Sequence, residues 1–245
     1  MASIANVRAN SERRFYGGMA IFMIVMVLAG FAPSFYFRGL VHFPRPNPTF
    51  TPLVLLHGVV FSAWMILFLT QTRLVAAGRR DLHMQLGRWG MILAIAMVPL
   101  MIATTIGQVA RANQPPNFTP LGWMAIPAFV VPVFIALVWG GWSHRRDAQA
   151  HKRLMLGAAL MMMDPAIGRL PIVPPTELGM HIGSFISWLP FLALFVWDWR
   201  TIGRFHWATL YGAGLLALAM ILRGFALTSP AWESFAGSAV RLATG

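Results

Sequence analysis

Seven stretches of this chain are apolar over about the 20 residues that a helix needs to cross a bilayer. They cover residues 15–37, 53–75, 86–108, 121–142, 152–170, 181–199 and 207–227. Inside hydrocarbon every backbone amide must find its hydrogen bond within its own segment, so each stretch reads as a helix. The expected fold is therefore all-α. It is a polytopic transmembrane bundle of about seven helices, forming one integral-membrane domain over residues 1–245. Pro44 to Pro52, Arg111 to Pro120 and Pro171 to Glu177 serve as connections, and Asp164-Pro165 and Arg169 interrupt the far end of the fifth segment. Composition leaves little room for another class. Hydrophobic residues make up 58% of the chain and charged ones 11%, against about 25% charged in soluble domains.

The net charge of +12 resembles that of a nucleic-acid binder until the cations are placed. Thirteen of the nineteen Lys and Arg fall at one set of segment ends: Arg8, Arg13 and Arg14; Arg73, Arg79, Arg80 and Arg88; Arg145, Arg146, Lys152 and Arg153; Arg200 and Arg204. The other six are Arg38, Arg45, Arg111, Arg169, Arg223 and Arg241. That bias is topological, so the expected partner is the lipid bilayer and not nucleic acid. By the positive-inside rule the N-terminus is cytoplasmic and the C-terminus outside. The run after Arg13-Arg14 extends to Phe37 without a cleavage site and reads as a retained first helix. No internal repeat stands out. The absence of cysteine excludes disulfides, thiolate metal sites and c-type haem. The only lysine, Lys152, sits at a segment edge, which excludes a retinal Schiff base. HExxH zinc patterns, a phosphate loop and GxSxG are absent too.

Polar residues inside the apolar segments are costly and tend to pair or to serve a function. At about 1.5 Å per residue, Asp164 lies ~20 Å along the fifth segment, Arg223 ~24 Å along the seventh and His57 ~8 Å below the outer face. With Arg169 and His181 they share one outer layer. Asp164 there either neutralises Arg169 or Arg223, or helps to form a polar pocket. On the second segment His57, Phe61, Trp64, Phe68 and Gln71 recur at spacings of 4, 3, 4 and 3, making one stripe. Such a stripe serves an inward bundle face or a flat ligand. On the cytoplasmic side, His83 and His151 open the third and fifth segments at similar depth, with His144 and His206 nearby. Imidazoles from two bundle helices are one way to hold haem iron, and solvated helix-end histidines are the plainer alternative.

The elements H-x6-W-x6-Q-x2-L, GRR-x2-H-x2-LG, AHKRLML and DWRTIGRFHWATLYG resemble an uncharacterised family of bacterial multi-pass membrane proteins over residues 53–212. That resemblance implies a bacterial cytoplasmic (inner) membrane location. The histidine followed by Leu-Gly and the helix-end histidines also resemble the cytochrome b561 type of membrane haem protein. This second likeness implies b-haems between His57 and His181 on the outer side and between His83 and His151 on the inner side. Arg79, Arg80 or Arg169 would then meet propionates. Three functions follow as expectations. One is a non-catalytic accessory subunit of a membrane complex. The second is a b-haem electron-transfer protein, with quinone or other membrane subunits as partners. The third is a small transporter using Asp164 and helices interrupted at Pro99, Pro127, Pro132, Pro165 and Pro190.

Overall fold

The computed structural model describes residues 4–40, 49–170, 172–173 and 176–245, and all the regular structure it contains there is helical. Arg45 lies outside the described residues, as do 44–48 of the first connection and 171, 174 and 175 of the 171–177 connection. Helix α1 (Ile4–Phe31) passes into a π-helical turn (Ala32–Tyr36), followed by α2 (Pro52–Ala76) and α3 (Arg80–Gly107). After a 3-10 turn (Val109–Arg111) come α4 (Pro120–Trp123), α5 (Ala125–Ser143) and α6 (Ala148–Leu160). A second 3-10 turn (Met161–Met163) leads to α7 (Asp164–Ile167), α8 (Glu177–Ile202), α9 (Trp207–Ala226) and α10 (Pro230–Thr244).

Local chemistry sets the boundaries. Thr51, Thr119 and Ser229 each accept a backbone N–H of the first turn through their hydroxyls, with proline next in line. This is the pairing of cap and pre-set φ that starts a helix. Asp147 caps α6 by accepting from Gln149 N and Ala150 N. Those two backbone bonds, with the neighbouring His206 and His144, hold its carboxyl below the usual range. Gly203, at φ +69°, ends α8 in the left-handed conformation that glycine adopts freely.

Among the described residues, six helical stretches are long and apolar enough to cross a membrane: 9–36, 52–76, 80–111, 120–143, 181–202 and 207–226. Their outward faces carry bare apolar side chains, among them Ile66, Ile92, Ile95 and Phe225. Such a surface suits lipid and not water. The fifth expected segment, 152–170, is different. It consists of α6, the 3-10 turn and α7, and it is the most enclosed part of the molecule. Leu154, Leu156, Ala158, Ala159, Leu160, Met163, Ala166 and Ile167 are all at most 1% exposed. The α-helical ladder gives way over Met161–Met163, the turn before Pro165, which has no N–H to donate back to it. In contrast α3, α5 and α8 run on through Pro99, Pro132 and Pro190.

Packing around this central segment is close. A Cβ on Gly30 of α1 would lie 2.1 Å from the Ala166 carbonyl oxygen of α7, so only glycine lets those two backbones meet. On α2 the aromatic stripe is an inward face. Trp64 is 3% exposed and edge-on to Phe134, while Phe61 and Phe68 pack against the core.

Candidate functional site

Two ionic networks, one part-buried and one fully buried, join the same three parts of the bundle: the central segment, α8 and α9. At the end holding the break, Asp164 Oδ2 accepts from Arg223 Nη1 at 2.7 Å and Asp164 Oδ1 from Ser187 Oγ at 2.9 Å. Arg223 Nη2 donates to Ser184 Oγ at 2.8 Å. A cavity of about 10 Å³ adjoins Asp164, Ser187 and Arg223, which is space for about one water and too small for a transported solute. Of the two arginines expected near Asp164, Arg223 is therefore the partner. Arg169 donates back to the Pro165 carbonyl and lies over the Phe31 ring, 4.7 Å from its centre.

His57 and His181 lie toward the same end. The His57 ring stacks on Phe61 at 3.9 Å, and its Nδ1 is 3.3 Å from the Thr104 hydroxyl. His181 is exposed on the first turns of α8. Shared depth along the bundle axis thus gathered Asp164 and Arg223 into one contact, while His57 is taken up by α3.

The opposite end, which carries the basic turns, holds the second network. Arg153 donates Nε and Nη2 to Asp198 Oδ1 at 2.9 and 2.5 Å, and Nη1 to the carbonyl and side chain of Gln149. The other carboxylate oxygen, Oδ2, accepts from the His206 backbone N at 2.9 Å and the Thr209 hydroxyl at 2.6 Å. Arg153 is 1% exposed and Asp198 0%. Every oxygen of the carboxylate is met, as a buried charge requires. Lys152, one residue away, points instead to α1 and pairs with Glu12 at 2.5 Å. His206 caps α9 through Nδ1, which accepts from Ala208 N at 3.2 Å. Burial and the Arg153 guanidinium lower its imidazole below the ordinary histidine range.

Beside this network the structure brings His83 and His151 together. Each is the fourth residue of its helix, α3 and α6. Their ring centres are 6.1 Å apart with planes at 85°. His151 Nδ1 is held by the Gly141 carbonyl at 2.7 Å, which leaves Nε2 as its free ring nitrogen. His83 lies against the Gln71 backbone. Its Nδ1 is buried without a hydrogen-bond partner, and so is Gln71 Oε1. His144 is elsewhere, bonded to the Gly140 carbonyl and packed on Trp207.

No protein-family model, curated protein or solved structure matches this chain. The chemistry of the site therefore rests on its own residues.

The Arg153–Asp198 pair escaped the sequence reading. From sequence Arg153 reads as one more topological cation among four at its turn, and Asp198 is not singled out. A usable signal was present. Asp198 is flanked by Trp197 and Trp199 near the end of an apolar segment, and a carboxylate so placed needs a cation. A second missed signal is that Arg-Arg-Asp occurs twice, at 79–81 and 145–147, each time ahead of a histidine at the start of the next helix.

Proposed function

We propose that this chain is a multi-pass protein of a bacterial cytoplasmic membrane that holds one b-type haem between His83 and His151 and serves electron transfer. The histidine pair carries this reading. Two imidazoles that would hold one metal ion between them, with metal–nitrogen bonds of about 2.0–2.1 Å, would have ring centres about 6 Å apart. The rings here are 6.1 Å apart. One ring is oriented through Nδ1 by a carbonyl, the usual support for a metal-binding imidazole. The other has a buried nitrogen with no partner. His57 and His181 offer no comparable donor set, and no cofactor is assigned to them.

When bound, a haem supplies a one-electron couple tuned by its axial ligands and their surroundings. The protein's part is to donate two imidazole nitrogens and to fix the His151 tautomer through Gly141. Arg79 is engaged with Asp81 at 3.1 Å, so Arg80, beside His83, is the cation to meet an acidic substituent. Electron partners of the quinone class, or another membrane subunit, suit a site at the lipid boundary. The basic end is assigned to the cytoplasm by the excess of Lys and Arg there. Because the chain has no cysteine, Asn10→Cys and Ser238→Cys report sidedness directly. The C-terminal reporter is expected to react with an impermeant maleimide in intact cells and the N-terminal one only after lysis.

The test of the haem reading is a dithionite-reduced minus oxidised spectrum of purified protein expressed with haem supply. Wild type is expected to give a Soret shift, and His83→Ala and His151→Ala to lose it. A colourless, monodisperse wild-type protein overturns the reading.

A second reading, a cofactor-free accessory subunit, draws on one face of α3. Trp89, Ile92 and Ile95 are all more than half exposed there and suit a neighbouring helix as well as lipid. Co-purification of one defined membrane partner, lost on Trp89→Ser, supports it.

A further inference from the structure

The two hairpins that present His83 and His151 share an Arg-Arg-Asp run in different register. Arg79 is the N-cap of α3, with Arg80 and Asp81 its first two residues, whereas Asp147 is the N-cap of α6, and in both the histidine is the fourth residue of the helix. His83 N bonds the Arg79 carbonyl at 3.0 Å and His151 N the Asp147 carbonyl at 2.9 Å, so each histidine closes the first turn of its helix. Both rings fold back on the end of the preceding helix, His151 on the Gly141 carbonyl and His83 on the Gln71 backbone.

The two hairpins also differ in the residue that receives the ring. Gly141 has no side chain, and a Cβ there would lie 2.7 Å from Met155 Sδ. Gln71 carries an amide. That amide packs against α3 at Gly87, one turn beyond His83 on the same face, where an added Cβ would lie 3.3 Å from Gln71 Nε2. Gln71 Oε1 and His83 Nδ1 are each buried without a partner. An imidazole Nδ1–H is a donor and an amide oxygen an acceptor. Two complementary groups, each without a hydrogen-bond partner, thus stand on adjoining helices. Buried polar groups left unpaired are costly enough to be rare.

We infer that Gln71 is the positioning residue for His83, its amide oxygen accepting the Nδ1–H and holding the ring in the tautomer that offers Nε2 to a ligand facing His151. This rests on the haem reading above. In that role Gln71 does for His83 what the Gly141 carbonyl does for His151, with one difference. A side-chain acceptor can be changed, and changing it alters how strongly the imidazole donates to the metal.

The experiment is a redox titration of purified, haem-loaded wild type, Gln71→Leu and Gln71→Glu, each verified as monodisperse. Losing the acceptor weakens imidazole donation and disfavours the ferric state, so Gln71→Leu is expected to raise the midpoint potential. A carboxylate accepts more strongly, so Gln71→Glu is expected to lower it. Shifts in opposite directions are not what a mere packing defect produces. Haem-loaded variants that titrate with wild type overturn the inference and leave the haem reading standing. Should Gln71→Leu fail to fold, an unchanged potential in Gln71→Glu overturns it alone. A wild-type protein without haem overturns both.

Discussion

Removing either partner of the Arg153–Asp198 pair is expected to be the most damaging single change to this bundle. Asp198 accepts four hydrogen bonds, two from Arg153, one from His206 N and one from Thr209 Oγ1. Neither charged side chain reaches solvent, at 1% and 0% exposure. Breaking such a pair leaves one charge buried and uncompensated, which costs about 3–5 kcal/mol. Asp198→Asn also turns one acceptor oxygen into an NH2 group facing existing donors. Replacing both partners with apolar residues of similar volume removes the buried charge altogether and is often nearly neutral. The assay is SDS-driven unfolding in mixed micelles of wild type, Arg153→Met, Asp198→Leu and the double variant. Each single is expected to lose about 3–5 kcal/mol and the double to recover much of it. Singles within about 1 kcal/mol of wild type, the range of exposed pairs, or losses that simply add in the double, refute the reasoning.

Asp164→Asn is expected to cost less in the same assay, about 1–3 kcal/mol. Asp164 is 20% exposed and adjoins space for a water, so Arg223 can be rehydrated. Gly30→Ala drives a methyl into the Ala166 carbonyl and is expected to destabilise by about 1–3 kcal/mol, read as lower yield of monodisperse protein and earlier unfolding. The His206 imidazole is lowered, and its unprotonated Nδ1 caps α9. The folded state therefore binds fewer protons than the unfolded one. Stability is full above the ordinary histidine pKa of about 6.5 and falls as pH drops below it. His206→Asn keeps a capping acceptor and is expected to flatten melting curves between pH 7 and pH 5. An unchanged pH slope contradicts the assignment.

What the sequence made legible was set by one dimension, position along the bundle axis. Apolar runs gave six long helices, and rise per residue put Asp164 and Arg223 at one depth, where they meet. Depth carries no information about azimuth. His57 shares the layer of Asp164 but faces Thr104 of α3, and Arg169 turns back on its own segment. The same arithmetic placed His83 and His151 level, and their rings also meet. The fifth segment kept its enclosed place but not its continuous helix, because the ladder gives way in the turn before Pro165, close to where α1 presses in at Gly30. Arg153 was hidden by a sufficient explanation, since a cation beside a basic turn needs no partner to make sense. The Gly141 carbonyl was hidden for another reason, since every residue carries the same backbone acceptor and only the turn geometry selects one.

The central proposal is that His83 and His151 would hold one haem between them, and their ring planes stand at 85°. Perpendicular imidazoles leave the two iron orbitals of π symmetry nearly equal in energy, whereas parallel rings split them. The electron paramagnetic resonance spectrum of oxidised, purified protein reads this directly. The account predicts a highly anisotropic low-spin ferric signal, lost in His83→Ala and in His151→Ala. A haem-free sample, a high-spin signal in wild type, or a low-spin signal that survives both substitutions contradicts it.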